Sequence, residues 1–369
     1  MALLLLCPLW TCAQVTIVVT STPQLTPLFD TIYVTGSFND WNPNDPRFKM
    51  VPDKNTWRIE IPPGVGEMVE FKFTRGSGWG TVEGSETGEQ IPNRSFIYVP
   101  GMTVECEILG WEDLRGHHTV EENVFILDAD FPMPQLGRTR RIWIRLPQDY
   151  DMNVQRCEVL YMQDGQNVFD AATSFAGEWQ VDETLNALDP TLDHLIVVAI
   201  DNGGVHRLDE YAPFKNEAYG AGGEGDLYLL WMVETLKPFV DDHFRTIKSR
   251  QATHIAGSSL GALISFYGWC KYQEVFSKAG IFSPAFWFNP EIYDVANSTP
   301  PMENAEICFI CGDAEDPEME RDMEAMFRAL GSASESLEML YMVVPGGQHN
   351  ESLWSQQFPY ILSVPSPKK

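Results

Sequence analysis

The sequence predicts two domains, a small all-β sandwich followed by an α/β domain with a doubly wound parallel sheet. The chain has 369 residues, enough for two domains or three. Short alternating stretches separated by turn residues fill residues 15–113. From residue 119 onward, apolar strand-like runs instead alternate with helical patterns. The change of character falls near residues 114–118.

The composition is that of a globular protein with a strongly negative charge. Apolar residues make up 44% of the chain and aromatic residues 12%, which excludes wholesale disorder. The 52 acidic and 25 basic residues give a net charge of −27, so we expect no binding to nucleic acid or to an anionic membrane surface. No apolar run approaches the length of a bilayer-spanning helix, and none is predicted.

Residues 1–13 are interpreted as a signal peptide. A short apolar core precedes small residues at Thr11 and Ala13, as a signal-peptidase site requires, although the first basic residue is Arg47. The alternatives are a buried N-terminal strand and a lipoprotein attached through Cys12. The first interpretation predicts a secreted or periplasmic protein.

The region 15–113 contains six strand-like stretches without a helical period. They are VTIVV, TIYVTG, WRIEI, VEFKFTRG, RSFIYV and VECEIL. The turn-forming clusters NDWNPNDP, PDKN, PPGVG and GSGWG separate them. This spacing predicts a β-sandwich.

The region 119–365 contains seven apolar strand-like runs. They are RRIWIRLP, EVLYMQD, HLIVVAID, THIAG, KAGIFSPA, EICFICG and LEMLYMVVPG. Between them lie segments that we interpret as amphipathic helices, at 227–244, 261–272 and 317–330. The alternation predicts a parallel sheet covered on both faces. Cys308 and Cys311 would point to opposite sides of a strand, so they are predicted to be core residues rather than ligands of one metal.

The strongest local signal is the G-x-S-x-G sequence Gly257-Ser258-Ser259-Leu260-Gly261. It follows the run THIA and precedes the helical pattern GALISFYGWC. This context predicts a sharp strand-to-helix turn that exposes Ser259 as a nucleophile, with the helix N-terminus directed toward developing negative charge.

A nucleophilic serine needs a base and a group that orients the base. In this type of site the acid and then the histidine follow the serine in the chain, and of seven histidines only His349 follows Ser259. The acid is expected just after the run EICFICG, where Asp313, Glu315 and Asp316 occur. Position alone does not separate them; Glu315 is our choice and Asp316 the next candidate.

Several spaced motifs resemble the putative-esterase family of α/β-hydrolases, which includes feruloyl, enterochelin-type and mycolyltransferase-like proteins. The motifs are MQDGQNVFD at 162–170, Trp179 with Asp182, AIDNGG at 199–204, Arg207 with Glu210 and Tyr211, GGEG at 222–225, LKPFVDDHFRT at 236–246, GSSLG at 257–261 and GGQHNESLW at 346–354.

The resemblance implies the α/β-hydrolase fold, with Ser259 as nucleophile and His349 as base. Glu315 falls at the family's usual place for the acid, three residues after Gly312. The backbone N–H groups of Leu260 and Gln166 would form the oxyanion hole. The implied reaction is ester hydrolysis through an acyl-enzyme, which needs no metal or organic cofactor.

The region 15–113 resembles the carbohydrate-binding modules that bind starch and glycogen, through GSFNDWNP at 36–43, VEFKF at 69–73, Trp79 and PNR at 92–94. The resemblance implies a sugar platform of Trp41, Trp79, Lys72 and Asn93, because aromatic faces stack on pyranose rings while Lys and Asn donate to hydroxyls. In the alternative interpretation both tryptophans are core residues of a spacer domain.

The sequence therefore predicts a secreted esterase that acts on acylated carbohydrate and also binds an α-glucan. A hydrolase of siderophores or other small esters, and a non-catalytic carbohydrate-binding protein, remain the alternatives.

Overall fold

The structure is a computed structural model that describes residues 14–54, 56–62, 68–76, 78–188, 193–333 and 337–362. The expected signal peptide at residues 1–13 lies outside the described residues. The chain forms two compact units, one ending at His117 and the other beginning at His118.

The N-terminal unit is built from β-strands. In the described residues these are β1 (Val15–Ser21), β2 (Ile32–Gly36), β3 (Val51–Asp53), β4 (Thr56–Ile61), β5 (Met68–Arg75), β6 (Glu83–Gly84), β7 (Arg94–Ile97), β8 (Thr103–Glu107) and β9 (Gly110–Trp111). One sheet has the order β3-β4-β1-β8, another the order β2-β5-β7, and β6 pairs with β9. The short strands β3, β6 and β9 are additions to the six stretches identified in the sequence.

Both larger sheets bury apolar side chains, in β1 at alternate positions. Val15, Ile17 and Val19 of β1 are fully buried while the residues between them are half-exposed. Phe71 and Phe73 of β5 are likewise buried. This is the burial pattern of two sheets packed face to face, because successive side chains of a strand point to opposite sides. The all-β prediction for this region is confirmed.

The second unit contains strands and helices in alternation. Its described strands are β10 (Val124–Met133), β11 (Arg138–Arg145), β12 (Glu158–Gln163), β13 (Leu195–Ile200), β14 (Lys215–Asn216), β15 (Ala221–Gly222), β16 (Thr253–Ser258), β17 (Lys278–Phe282), β18 (Glu306–Gly312) and β19 (Glu338–Val344). Its described helices are α1 (Val181–Asn186), α2 (Arg207–Glu210), α3 (Gly225–Trp231), α4 (Lys237–His243), α5 (Leu260–Lys271), α6 (Ile292–Ser298), α7 (Pro317–Ala333), α8 (Glu351–Gln357) and α9 (Pro359–Leu362).

Eight strands form the central sheet, in the order β10-β11-β13-β12-β16-β17-β18-β19. The pairs β10–β11 and β11–β13 are antiparallel, and the remaining pairs are parallel. The six strands from β13 to β19 therefore end at the same edge. The predicted α/β class is confirmed, although the sequence analysis did not identify the edge strand β10.

Helix α5 is not amphipathic, contrary to the prediction for residues 261–272. Every residue from Leu260 to Cys270 is buried. The helix lies against the middle of the sheet and is covered from its other side, so it has no solvent-facing stripe. Cys308 and Cys311 are fully buried free thiols in β18, as expected for core residues.

In the part of the chain that the structure describes, no helix combines the length and the apolar character needed to cross a bilayer.

Candidate active site

Ser259 occupies the turn between β16 and α5. Its backbone has φ 56° and ψ −122°, an unfavourable conformation for a residue with a side chain. The Ser259 N–H donates to Phe282 O at 2.9 Å, and Ser259 O accepts from Ala285 N at 3.1 Å. These two bonds hold the strained residue against the end of β17.

The two glycines that flank this turn are required by close backbone contacts. A Cβ at Gly257 would lie 2.6 Å from the carbonyl carbon of Gly261. A Cβ at Gly261 would lie 3.0 Å from Asp164 Oδ2 and from Gln163 Cβ. The first turn of α5 therefore lies directly against the loop that follows β12.

His349 follows β19 and is paired with Glu315, which follows β18. The His349 Nδ1 and Glu315 Oε2 atoms are 2.7 Å apart. The other two candidate acids bond elsewhere: Asp313 Oδ1 accepts from the N–H of Gly346, and Asp316 Oδ1 from that of Glu318. Of the three carboxylates, the structure therefore brings Glu315 to the histidine.

Glu315 is held by a second set of contacts that the sequence analysis missed. Its Oε1 accepts from Ser283 Oγ at 2.7 Å and from Gly312 N at 2.8 Å. Ser283 is fully buried, and its Oγ accepts from Trp354 Nε1 at 2.9 Å. The sequence signal that could have identified Ser283 is its position just after β17, at the edge where the other candidates lie.

These contacts shift the acidity of Glu315. Burial raises the pKa of its carboxyl group, but the bonds from His349, Ser283 and Gly312 outweigh burial and leave the pKa below its ordinary value. Glu315 is therefore held as a carboxylate, the form that accepts a hydrogen bond from imidazole.

Ser259 and His349 lie at the same edge of the sheet, one after β16 and the other after β19. Among the described residues, no hydrogen bond of 3.5 Å or less joins the serine hydroxyl to the imidazole. Such bonds are often long before substrate binds. The link between them runs through the end of β17, where Phe282 contacts Ser259 and Ser283 contacts Glu315.

The expected oxyanion donors lie at the starts of two neighbouring segments, Leu260 at the first position of α5 and Gln166 in the turn after β12. Within the described ranges, neither backbone N–H donates to a protein acceptor. The turn after β12 is fixed by Asp164, whose carboxylate accepts from Arg207 Nε and from Asn202 Nδ2, each at 2.7 Å. Both N–H groups are thus left available on a rigid support.

The N-terminal unit brings the four predicted sugar-binding residues together. Trp41, Trp79, Lys72 and Asn93 line one open cavity of about 400 Å³. The two indole rings lie 6.3 Å apart; Trp79 is 42% exposed and Trp41 is half-buried, so neither side chain is fully buried. Lys72 is largely buried, and its ammonium donates to Ile91 O at 2.7 Å.

The sheet order and the strained serine between β16 and α5 define the second unit as an α/β-hydrolase. The model of the Putative esterase family matches residues 134–363, which is more than half of the chain. The chain belongs to this family and is a serine ester hydrolase.

Known proteins similar to the chain include the uncharacterized protein YbbA of Bacillus subtilis, which is 23% identical over 233 residues, or 59% of this chain and 89% of that protein. The crystal structure of BES protein from Bacillus cereus has a TM-score of 0.54 at 15% identity, covering 68% of this chain and 97% of that one. An IroE-like serine hydrolase from Shewanella oneidensis has a TM-score of 0.50 at 17% identity, covering 62% of this chain and 76% of that one.

A shorter similarity involves an alpha-amylase from Niallia circulans. It is 37% identical over 95 residues, which are 25% of this chain and only 7% of the amylase. The similarity is therefore to one small segment of that enzyme.

Proposed function

We propose that Ser259, His349 and Glu315 form the catalytic triad of this esterase. The observation that carries the proposal is the 2.7 Å contact between His349 and Glu315 at the sheet edge where Ser259 adopts its strained turn. The three residues follow β16, β19 and β18, so rigid parallel strands position all of them.

In the proposed reaction, neutral His349 takes the proton from Ser259 Oγ through Nε2 while its Nδ1–H donates to Glu315. The serine oxygen attacks the ester carbonyl carbon, and the N–H groups of Leu260 and Gln166 donate to the resulting oxyanion. His349 then protonates the leaving alkoxide, which departs as an alcohol. Water, deprotonated by His349, attacks the acyl-enzyme, and collapse of the second tetrahedral intermediate releases the carboxylic acid and restores Ser259.

We propose that the ester is carried on a carbohydrate. Two exposed aromatic rings of the second unit support this substrate class, Trp287 at 46% exposure and Tyr219 at 58%. Trp287 follows Ala285, whose backbone N–H donates to Ser259 O, by two residues. Their ring centroids are 5.8 Å apart. Such a surface suits the apolar face of a sugar ring or an aromatic acyl group.

We further propose that the N-terminal unit binds an α-glucan through Trp41 and Trp79, assisted by Lys72 and Asn93. The exposed indole of Trp79 beside Trp41 supports stacking on a sugar. The 37% identity to a segment of an alpha-amylase supports the same ligand class. Secretion or a periplasmic location is proposed from the apolar residues 1–13 that precede this unit.

The triad is tested by comparing Ser259→Ala with Ser258→Ala, which removes the neighbouring hydroxyl. Hydrolysis of p-nitrophenyl acetate should fall at least about 10³-fold in the first variant and remain near the wild-type rate in the second. A fluorophosphonate should add to the wild type and to Ser258→Ala but not to Ser259→Ala, as read by intact mass. Substantial turnover by folded Ser259→Ala would contradict the proposal.

The substrate class is tested by a screen of acetylated, feruloylated and longer-acyl sugars against siderophore-type and simple alkyl esters. We expect the highest kcat/KM for an acylated sugar, and Trp287→Ala should lower it more than it lowers p-nitrophenyl acetate hydrolysis. A clear preference for siderophore-type esters would instead select the small-ester alternative. Absence of turnover on every ester would favour the alternative of a non-catalytic carbohydrate-binding protein.

A further inference from the structure

Three carboxyl groups converge at the start of α1, which contributes two of them. One oxygen from each of Glu178, Asp182 and Glu183 lies within 4.8 Å of the others. Asp182 is 0% exposed, and the two glutamates are half-buried. We call these three residues the carboxylate cluster.

Protein donors satisfy only part of the carboxylate cluster. The Glu121 N–H donates to Asp182 Oδ2 at 2.9 Å, and Thr119 Oγ1 donates to Glu178 Oε1 at 3.0 Å. By contrast, Asp182 Oδ1 and Glu183 Oε2 are buried and have no hydrogen-bond donor in the described chain. A buried carboxylate oxygen without a donor is costly, because it has lost its water and gained nothing in return.

Other carboxylates that are buried about as fully as Asp182 form ion pairs in this protein. Glu83, Asp193 and Glu210 each have an arginine partner, at 2.8, 2.5 and 2.8 Å respectively. No lysine, arginine or histidine among the described residues forms an ion pair with the carboxylate cluster. The cluster therefore brings three carboxyl groups together in a partly desolvated place without a side-chain cation.

We propose that the carboxylate cluster binds a divalent cation of the calcium type. Carboxylate oxygens are the ligands that calcium prefers, at about 2.3–2.6 Å from the ion, so the spacing of the three oxygens is compatible with one shared ion. The unpartnered oxygens of Asp182 and Glu183 would become ligands, and water would complete the coordination.

Protons are the competing occupants of this site. Burial, followed by the neighbouring Glu183, raises the pKa of Asp182 to about 8, and the same two causes raise that of Glu178 to about 7. At neutral pH the ion-free cluster therefore retains protons that a bound cation would displace.

A cation here would support the active site without entering the reaction. Trp179 lies between Glu178 and Asp182 in the chain, and its ring packs 5.0 Å from Phe282 and 5.8 Å from Trp354. Trp354 in turn donates to Ser283, which holds Glu315. By binding residues on both sides of Trp179, the ion would hold in place the tryptophan ring against which Trp354 packs.

The experiment uses the full-length protein after treatment with EDTA. Terbium, a calcium substitute excited through tryptophan, is titrated into wild type, Asp182→Asn and, as a control that removes an exposed carboxylate elsewhere, Glu318→Gln. We expect saturable emission that calcium displaces in wild type and Glu318→Gln, with at least tenfold weaker affinity in Asp182→Asn. Calcium at about 1 mM should also raise the Tm of wild type but not that of Asp182→Asn.

If Asp182→Asn fails to fold, Glu183→Gln takes its place, since Glu183 is less buried than Asp182. Equal terbium affinity in wild type and the cluster variant would overturn the proposal. So would a Tm of wild type that is unchanged by calcium at pH 7.5, where ordinary carboxylates are ionised.

Discussion

Glu315 contacts His349 through only one of its two carboxylate oxygens. Its Oε2 faces the imidazole Nδ1 at 2.7 Å, while Oε1 accepts from Ser283 Oγ and Gly312 N. The second oxygen fixes the carboxylate plane, so the first presents a defined direction to the histidine. This division explains how a loop glutamate can orient an imidazole.

Removal of the histidine should be more damaging than removal of the acid. We expect His349→Ala to lower kcat at least about 10³-fold, and Glu315→Ala to cost about tenfold less, because the orienting acid is the least costly triad member to lose. The measurement is kcat for p-nitrophenyl acetate, with Asp316→Ala as the matched control. A larger loss for Asp316→Ala than for Glu315→Ala would mean that the acid is misassigned.

Ser283→Ala should lower activity through Glu315 rather than through substrate contact. Loss of the Ser283 hydroxyl removes one of the bonds that keep the pKa of Glu315 low, so that pKa should rise. We expect kcat to fall about tenfold with little change in KM. A more basic Glu315 carboxylate stabilises the imidazolium of His349 more strongly, so the acidic limb of the rate profile should also move to higher pH.

Trp354→Phe is the comparison variant for Ser283, since it removes the indole N–H but leaves both Glu315 bonds to Ser283 and Gly312. It should shift the acidic limb less than Ser283→Ala does. Equal shifts in the two variants, or none in either, would show that Ser283 does not position the acid.

Activity should fall as the solution becomes acidic. Only neutral imidazole can accept the Ser259 proton, whereas Glu315, with its lowered pKa, stays ionised to lower pH than an ordinary glutamate. The loss of activity on acidification should therefore come from His349 and not from Glu315. A rate profile that is flat from about pH 5 to 8 would contradict His349 as the base.

Each tryptophan of the N-terminal cavity should contribute to glucan binding. We expect Trp41→Ala and Trp79→Ala each to weaken binding to soluble starch about tenfold, because one stacked ring contributes on the order of 1–2 kcal/mol. Affinity electrophoresis measures the effect, with Tyr360→Ala as a control that removes an exposed aromatic ring from the other unit. Unchanged retardation of both variants would refute the binding role, and a large loss of Tm in both would indicate a core role.

The stability of the calcium-free protein should decrease as pH rises from about 5 to 8. The folded pKa values of Asp182 and Glu178, about 8 and about 7, lie above those of an unfolded chain, so the native state binds more protons in this range. Releasing them on raising the pH therefore favours unfolding. Asp182→Asn should flatten this slope in thermal melts, whereas Glu318→Gln should retain it; equal slopes in all three proteins would contradict the interpretation.

The sequence by itself determined the serine turn and the histidine. Gly257 and Gly261 are needed wherever backbones approach too closely for a Cβ, and that need is visible in the chain as G-x-S-x-G between a strand pattern and a helix pattern. His349 followed from chain order, because it is the one histidine after Ser259. The serine turn depends on neighbouring residues and the histidine on its order in the chain, and both can be read directly from a sequence.

Only the tertiary structure decided which carboxylate meets the histidine. Asp313, Glu315 and Asp316 lie within four residues of one another. Glu315 bonds to Ser283 and Asp313 to Gly346, both distant in the chain, whereas Asp316 bonds to the nearby Glu318. The complete burial of α5 and the convergence of the carboxylate cluster were likewise decided by packing between elements. Such contacts join segments that are far apart in sequence, and residue type and spacing do not encode their geometry locally.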